Sequence, residues 1–153
     1  MNESEREDAV LLLLDVAARI ERRLDNALSM ARGMSFSEYR ILKVLASAEG
    51  RGVLRVDLAE AVGLTASAVT RALRPLEKIG LVATEKHERD ARCSLAKLTP
   101  AGLELLSDAE QVVAEGLDAI PMKGVSLDKL ASLQAELSKP RCAPSRRSTI
   151  RAT

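Results

Sequence analysis

Between Arg55 and Leu98 the apolar residues change their spacing once, and that change limits the available folds more than any other feature of the sequence. Up to Ile79 they recur at three- and four-residue steps, as a helix buried along one side requires. After Gly80 they alternate with polar residues, as a half-buried strand requires. The helical part is itself divided. Arg55–Val62 turns Val56, Leu58, Ala59 and Val62 inward, and Gly63 interrupts it. Thr65 then caps a second helix that runs to Ile79, with Val69, Ala72, Leu73, Leu76 and Ile79 facing in. Two short helices joined by a glycine-containing turn form a helix-turn-helix. A strand from Leu81 to about His87, a polar tip Glu88–Arg92 and a return strand Cys93–Leu98 follow directly. The expected architecture is mainly α with a small β-hairpin wing, a winged helix-turn-helix over residues 35–99.

Longer helices flank this lobe. Val10, Leu13, Leu14, Ala17, Ile20, Leu24, Leu28 and Ala31 trace a helix of about six turns that stops at Gly33. Residues 1–34 form either a dimerisation helix or a cap on the lobe's own core; periodicity does not choose between them. Ser35 or Ser37 caps a helix that buries Tyr39, Ile41, Leu42, Val44 and Leu45, with Glu38 placed three residues after Ser35 for a capping box. Thr99 and Pro100 are a cap and a first-turn proline for a helix with Leu103, Leu106, Ala109, Val113, Leu117 and Ile120 on one face. Ser126 caps a last helix, Leu127–Leu137. Residues 100–138 are assigned to C-terminal dimerisation helices, and Leu24, Leu28 and the Leu103–Ile120 face are expected to make the dimer contacts. Residues 139–153, rich in Pro, Ser and Arg with five basic and no acidic residues, are expected to be a disordered basic tail.

Composition removes several function classes. Phe36 and Tyr39 are the only aromatic residues, too few for stacking single-stranded nucleic acid. The run Ala9–Leu14 is too short to span a bilayer and follows acidic residues, so a cytoplasmic protein without membrane association is expected. Two cysteines, Cys93 and Cys142, and one histidine, His87, lack the paired spacing of structural zinc, so neither a metal nor a cofactor is expected. Neither a nucleophile–histidine pair nor a phosphate-binding loop occurs, which argues against an enzyme.

Net charge is only +1, but it is unevenly placed. Leu64–Thr99 carries seven basic and four acidic residues, whereas Pro100–Ser138 carries two and seven. A basic segment in an otherwise acidic chain suits a local phosphate-facing surface. On the Thr65–Ile79 helix, Ser67, Thr70, Arg71 and Arg74 point away from the apolar stripe, and Ala68 lets the backbone approach a partner closely. Hydroxyls near a helix N-terminus and arginines beyond them fit a major groove of double-stranded DNA. Thr65, Ser67, Ala68, Thr70, Arg71 and Arg74 are therefore the candidate reading residues. On the hairpin, Lys86, Arg89, Asp90 and Arg92 form the second set, with Arg92 suited to a narrow minor groove and Asp90 to bracing it. Near-neutral total charge and acidic flanks leave one alternative, a winged helix that binds protein rather than DNA.

These residues carry a resemblance. Ser67–Leu73, Leu76–Val82, Asp90-Ala91-Arg92 and Leu98-Thr99-Pro100-Ala101-Gly102, within Phe36–Leu105, resemble the MarR family of bacterial regulators. The resemblance implies a homodimer built by the first and last two helices, with two reading lobes on a pseudo-palindromic site. It implies Thr70 and Arg71 on the groove-reading helix, and Arg92 in the minor groove. It also implies a ligand-responsive repressor with a cleft for a small-molecule effector, often a phenolic or lipophilic anion, with Tyr39 and Arg40 nearby. Two features depart from the family pattern. Pro75 removes the bond to the Arg71 carbonyl and is expected to kink the reading helix. The reactive cysteine that hydroperoxide sensors of the family carry near the start of the first helix is missing, and Cys93 is read as a small packing or surface residue.

Overall fold

The change of period at Gly80 appears in the computed structural model as a passage from helix to sheet. The structure describes residues 1–90 and 93–138. The elements are α1 (Glu3–Arg32), α2 (Phe36–Ser47), β1 (Val53–Leu54), α3 (Arg55–Val62), α4 (Ala66–Lys78), β2 (Val82–Lys86), β3 (Ser94–Leu98), α5 (Pro100–Asp118) and α6 (Leu127–Ser138). The strands form one antiparallel sheet in the order β1-β3-β2, with Val82 opposite Leu98 and Lys86 opposite Ser94. β1 adds two pairs, Val53 with Ala96 and Leu54 with Leu95. This is a mostly helical winged-helix fold.

Local chemistry explains most boundaries. The Ser35–Glu38 capping box is formed in both directions, and Thr65 Oγ1 accepts the Ala68 N–H at 3.1 Å. α1 starts seven residues earlier than its first periodic apolar residue, because Asn2 and Glu5 make a second reciprocal capping box. A helix end is set where its free N–H groups find acceptors, not where the apolar stripe begins.

The segment Leu98–Gly102 is a corner where sheet meets helix. Thr99 donates its hydroxyl to the Gly80 carbonyl at 2.6 Å and its N–H to the Leu81 carbonyl at 3.1 Å. The same hydroxyl oxygen caps α5 by accepting the Gly102 N–H at 3.1 Å. A Cβ at Gly102 would lie 2.1 Å from the Leu81 carbonyl oxygen, so only glycine lets α5 come this close. The motif that carried the resemblance thus anchors α5 to the start of β2.

Residues Met1–Ile120 form one unit with a continuous core. Ile41, Leu42, Leu45, Leu58, Val62, Val69 and Leu73 fill its centre. Leu24 and Leu28 of α1, 3% and 0% exposed, join this core beside Leu106, Ala109 and Val113 of α5. They are therefore not dimer contacts. The sequence expectation is corrected because α1 and α5 bury these faces on each other within one chain. Leu103 and Leu117 on α5 remain exposed. Val56 and Ile79, expected inward, are 64% and 67% exposed. Val56 lies on the side of α3 nearly opposite Leu58, and Ile79 is the C-cap residue past the last turn of α4. A second unit begins at Pro121, and its helix α6 is capped by Ser126, whose hydroxyl accepts the Lys129 N–H at 3.3 Å. Among the described residues no helix is long and apolar enough to cross a membrane.

Candidate nucleic-acid interface

α4 is held by its inner face and leaves the other open. Val69, Leu73 and Leu76 are buried, while Thr65, Ser67, Arg71 and Arg74 are exposed and Ala68 and Thr70 are half-buried. The turn into α4 depends on Gly63, which has a φ of 67° and passes the N–H of Leu64 back to the Ala59 carbonyl at 2.9 Å. That left-handed step costs a residue with a side chain about 1 kcal/mol or more. Ala66, Ser67, Thr70, Arg71 and Arg74 line a shallow open depression that contains no acidic residue. Four of the six predicted reading residues thus line one depression; Ala68 is half-buried outside its lining and Thr65 caps the helix. Pro75 does not end the helix, which continues to Lys78.

Sequence reading missed the acid on this helix and its partner. Glu77 is turned toward Arg55, whose Nη2 donates to its Oε1 at 3.2 Å, and toward Thr84, whose hydroxyl donates to the same oxygen. The Arg55 Nη1 donates to Thr70 Oγ1 at 3.4 Å. With Glu77 engaged there, Arg71 and Arg74 face outward, and among the described residues neither forms an ion pair with a carboxylate. Arg55 had only marked the start of α3 in the sequence; no spacing rule pairs it with residues 15 and 22 positions away.

The wing is a two-stranded ribbon closed near its tip by the His87 N–H on the Cys93 carbonyl at 2.9 Å and the Cys93 N–H on the Asp90 carbonyl at 3.0 Å. Lys86, Arg89 and Asp90 are exposed on it. Lys86 and Arg89 share a second depression with Arg51, Glu85, His87, Glu88, Leu95 and Lys97. Arg51, from the loop before β1, was not foreseen there. Lys97 is paired with Glu85 at 2.6 Å, which subtracts one cation from this face. Arg92, the predicted minor-groove residue, lies outside the described residues, as do Ala91 and the basic tail. The Cys93 thiol donates to Asp90 Oδ2 at 3.5 Å, and that bond, with burial and the carboxylate's charge, pushes the thiol up. A thiol held protonated is a poor nucleophile.

Tyr39 and Arg40, expected near an effector cleft, sit on α2 with different exposure. The Tyr39 ring is buried and stacked on Phe36 with centroids 5.8 Å apart, and burial pushes its hydroxyl up. Arg40 is half-buried. A separate, mainly apolar depression opens between the end of α2 and the start of α5, lined by Leu45, Ala46, Leu98, Pro100 and Leu103 among others.

Comparison with known proteins finds this geometry in other regulators. Residues 32–92 match the model of the MarR family. Sco3205, a MarR family transcriptional regulator from Streptomyces coelicolor whose structure was solved in complex with DNA, superposes with a TM-score of 0.73 at 25% identity, over 90% of this chain and 86% of that one. A cysteine-to-serine mutant of MarR from E. coli complexed with operator DNA gives 0.68 at 25% identity, over 87% and 93%. CouR from Rhodococcus jostii RHA1, bound to p-coumaroyl-CoA, shares the fold with a TM-score of 0.70 at 22% identity, over 89% and 93%. Over its reading lobe the chain thus matches the MarR family model, and its described fold is similar to that of these transcriptional regulators.

Proposed function

We propose that the protein is a cytoplasmic homodimer that binds a pseudo-palindromic duplex sequence-specifically and represses transcription until a small molecule releases it; it is not an enzyme. One observation carries this reading: an exposed α4 face with Ser67, Thr70, Arg71 and Arg74 around an acid-free depression. Arginine on such a helix can bond guanine through two N–H groups, and the hydroxyls can bond base edges or phosphates. The wing cations Lys86 and Arg89, with Arg92 from the family pattern, would grip the adjacent backbone or minor groove.

The dimer is supported by apolar surface left over. Residues 9–18 of α1 read Ala-Val-Leu-Leu-Leu-Leu-Asp-Val-Ala-Ala, apolar around nearly the whole helix, and Val10, Leu11, Leu12, Leu13, Leu14 and Val16 are all exposed. A helix apolar on every side belongs inside an assembly. The Leu127, Leu130, Leu133 and Leu137 side chains of α6 are also exposed. An effector near Tyr39 and Arg40 would then act at the boundary between dimer helices and reading lobe.

The test is selection of bound fragments from a random duplex pool, followed by mobility-shift titration of folded variants. The expected site is a palindrome with half-sites about 10 bp apart. Arg71→Ala should weaken binding to it roughly tenfold or more, and wild-type affinity should fall steeply with salt as counterions are released. Binding by wild type no tighter than to bulk DNA, with a stable protein complex recovered instead, would transfer the α4 face to a protein partner.

A further inference from the structure

The reading helix is tied from behind by a side chain of another helix. Arg55, the first residue of α3, reaches Thr70 at 3.4 Å and Glu77 at 3.2 Å, two turns apart on α4. Glu77 also accepts from Thr84 on β2. One guanidinium therefore joins α3 to α4 and, through Glu77, to the first strand of the wing. As a stabilising device it is poor. The ion pair is more than a quarter exposed on each side, and the Arg55 Nε is buried with no acceptor among the described residues. An orphaned buried donor offsets about what one net hydrogen bond contributes. What the arrangement does deliver is orientation.

Thr70 lies in the same open depression as Ser67, Arg71 and Arg74. Its hydroxyl has one hydrogen to donate and two lone pairs to accept with. Arg55 takes up acceptor capacity from the inner side, which leaves the hydrogen for an outside partner. We propose that Arg55 is the positioning residue of the reading helix: it presents the Thr70 hydroxyl as a donor to an acceptor atom of the duplex. That acceptor is a phosphate oxygen or a base-edge acceptor such as purine N7, guanine O6 or thymine O4. The inference rests on the DNA-reading function proposed above and names a residue that does not itself carry the contact.

The test uses the full-length protein, its selected duplex and a scrambled duplex. Wild type, Arg55→Ala, Arg55→Lys, Thr70→Val and the double variant Arg55→Ala/Thr70→Val are titrated at a temperature where circular dichroism shows each folded. Arg55→Ala and Thr70→Val should each weaken binding about five- to tenfold. The double variant should bind no more weakly than Arg55→Ala alone, because both changes remove one contact. Arg55→Lys keeps the charge but cannot bridge Thr70 and Glu77 together, so it should behave like Arg55→Ala; it also carries the test if the alanine variant does not fold. A loss confined to the selected duplex identifies a base as the acceptor, and an equal loss on both duplexes identifies a phosphate. Losses that multiply in the double variant, or wild-type affinity in Arg55→Lys, overturn the positioning role and leave the DNA-reading function intact. A wild-type protein that selects no duplex overturns both.

Discussion

The two halves of α1 are built from similar aliphatic residues and meet opposite fates. Ile20, Leu24 and Leu28 recur every four residues, with Arg22, Arg23 and Asn26 on the far side, and Leu24 and Leu28 are sealed into the core against α5. Val10–Leu14 and Val16 follow one another without a polar side, and Leu12 is 64% exposed. A stripe about 100° wide can be covered from one side, here by α5 together with α2. A band apolar all round needs cover from several directions, which the described residues do not give it. Total hydrophobicity therefore says that a segment wants burial; the angular distribution says whether its own fold can supply it.

The comparison can be broken at either end. Leu28→Ala should have the largest effect, about 2–5 kcal/mol of lost stability from lost contacts and a residual cavity. That loss should be the same at low and high protein concentration in urea unfolding; a concentration dependence would mean that Leu28 serves an interface after all. Leu12→Lys combined with Val16→Lys comes next. Each apolar side chain removed from an interface is worth about 1.5–3 kcal/mol, so the proposed dimer, followed by light scattering at micromolar concentration, should give way to folded monomer. The dependence of Tm on concentration should vanish with it. A wild-type protein that is already monomeric would end the proposed role of residues 9–18.

Two smaller effects sharpen the boundary between the halves. A Cβ at Gly116 on α5 would sit 3.0 Å from Leu24 Cδ2, the free end of a flexible side chain. Gly116→Ala should gain up to about 1 kcal/mol of helix stability and return part of it by displacing Leu24. The net change should stay under about 1 kcal/mol, with dimerisation untouched. Arg19, next to the boundary, pairs with Asp15 at 2.8 Å on an exposed helix surface. Arg19→Ala should move neither Tm nor the monomer–dimer equilibrium measurably; a shift in the equilibrium would extend the interface to the basic side of α1.

Legibility in the sequence followed the range of the interactions involved. The caps at Ser35, Thr65, Thr99 and Ser126, the turn at Gly63 and the change of period at Gly80 all act within a few residues, and each stands where the residue pattern places it. The open face of α4 was legible for the same reason, because helical spacing alone puts Ser67, Arg71 and Arg74 opposite Val69 and Leu73. Two errors came from counting a stripe without its surroundings. Val56 was assigned inward from the opposite side of α3 and Ile79 from beyond the end of α4, and Leu24 and Leu28 were given to a second subunit when α5 of the same chain was available.

Element order, most helix caps, the strand ribbon and the polar face of α4 followed from the sequence by itself, since backbone hydrogen bonding and side-chain period are local properties. Tertiary structure alone decided which apolar face meets which partner, that Gly102 must be bare under the Leu81 carbonyl, and that Arg55 reaches Thr70 and Glu77. Such pairings depend on where the chain returns after a turn, and a side chain reaching across helices leaves no period to read.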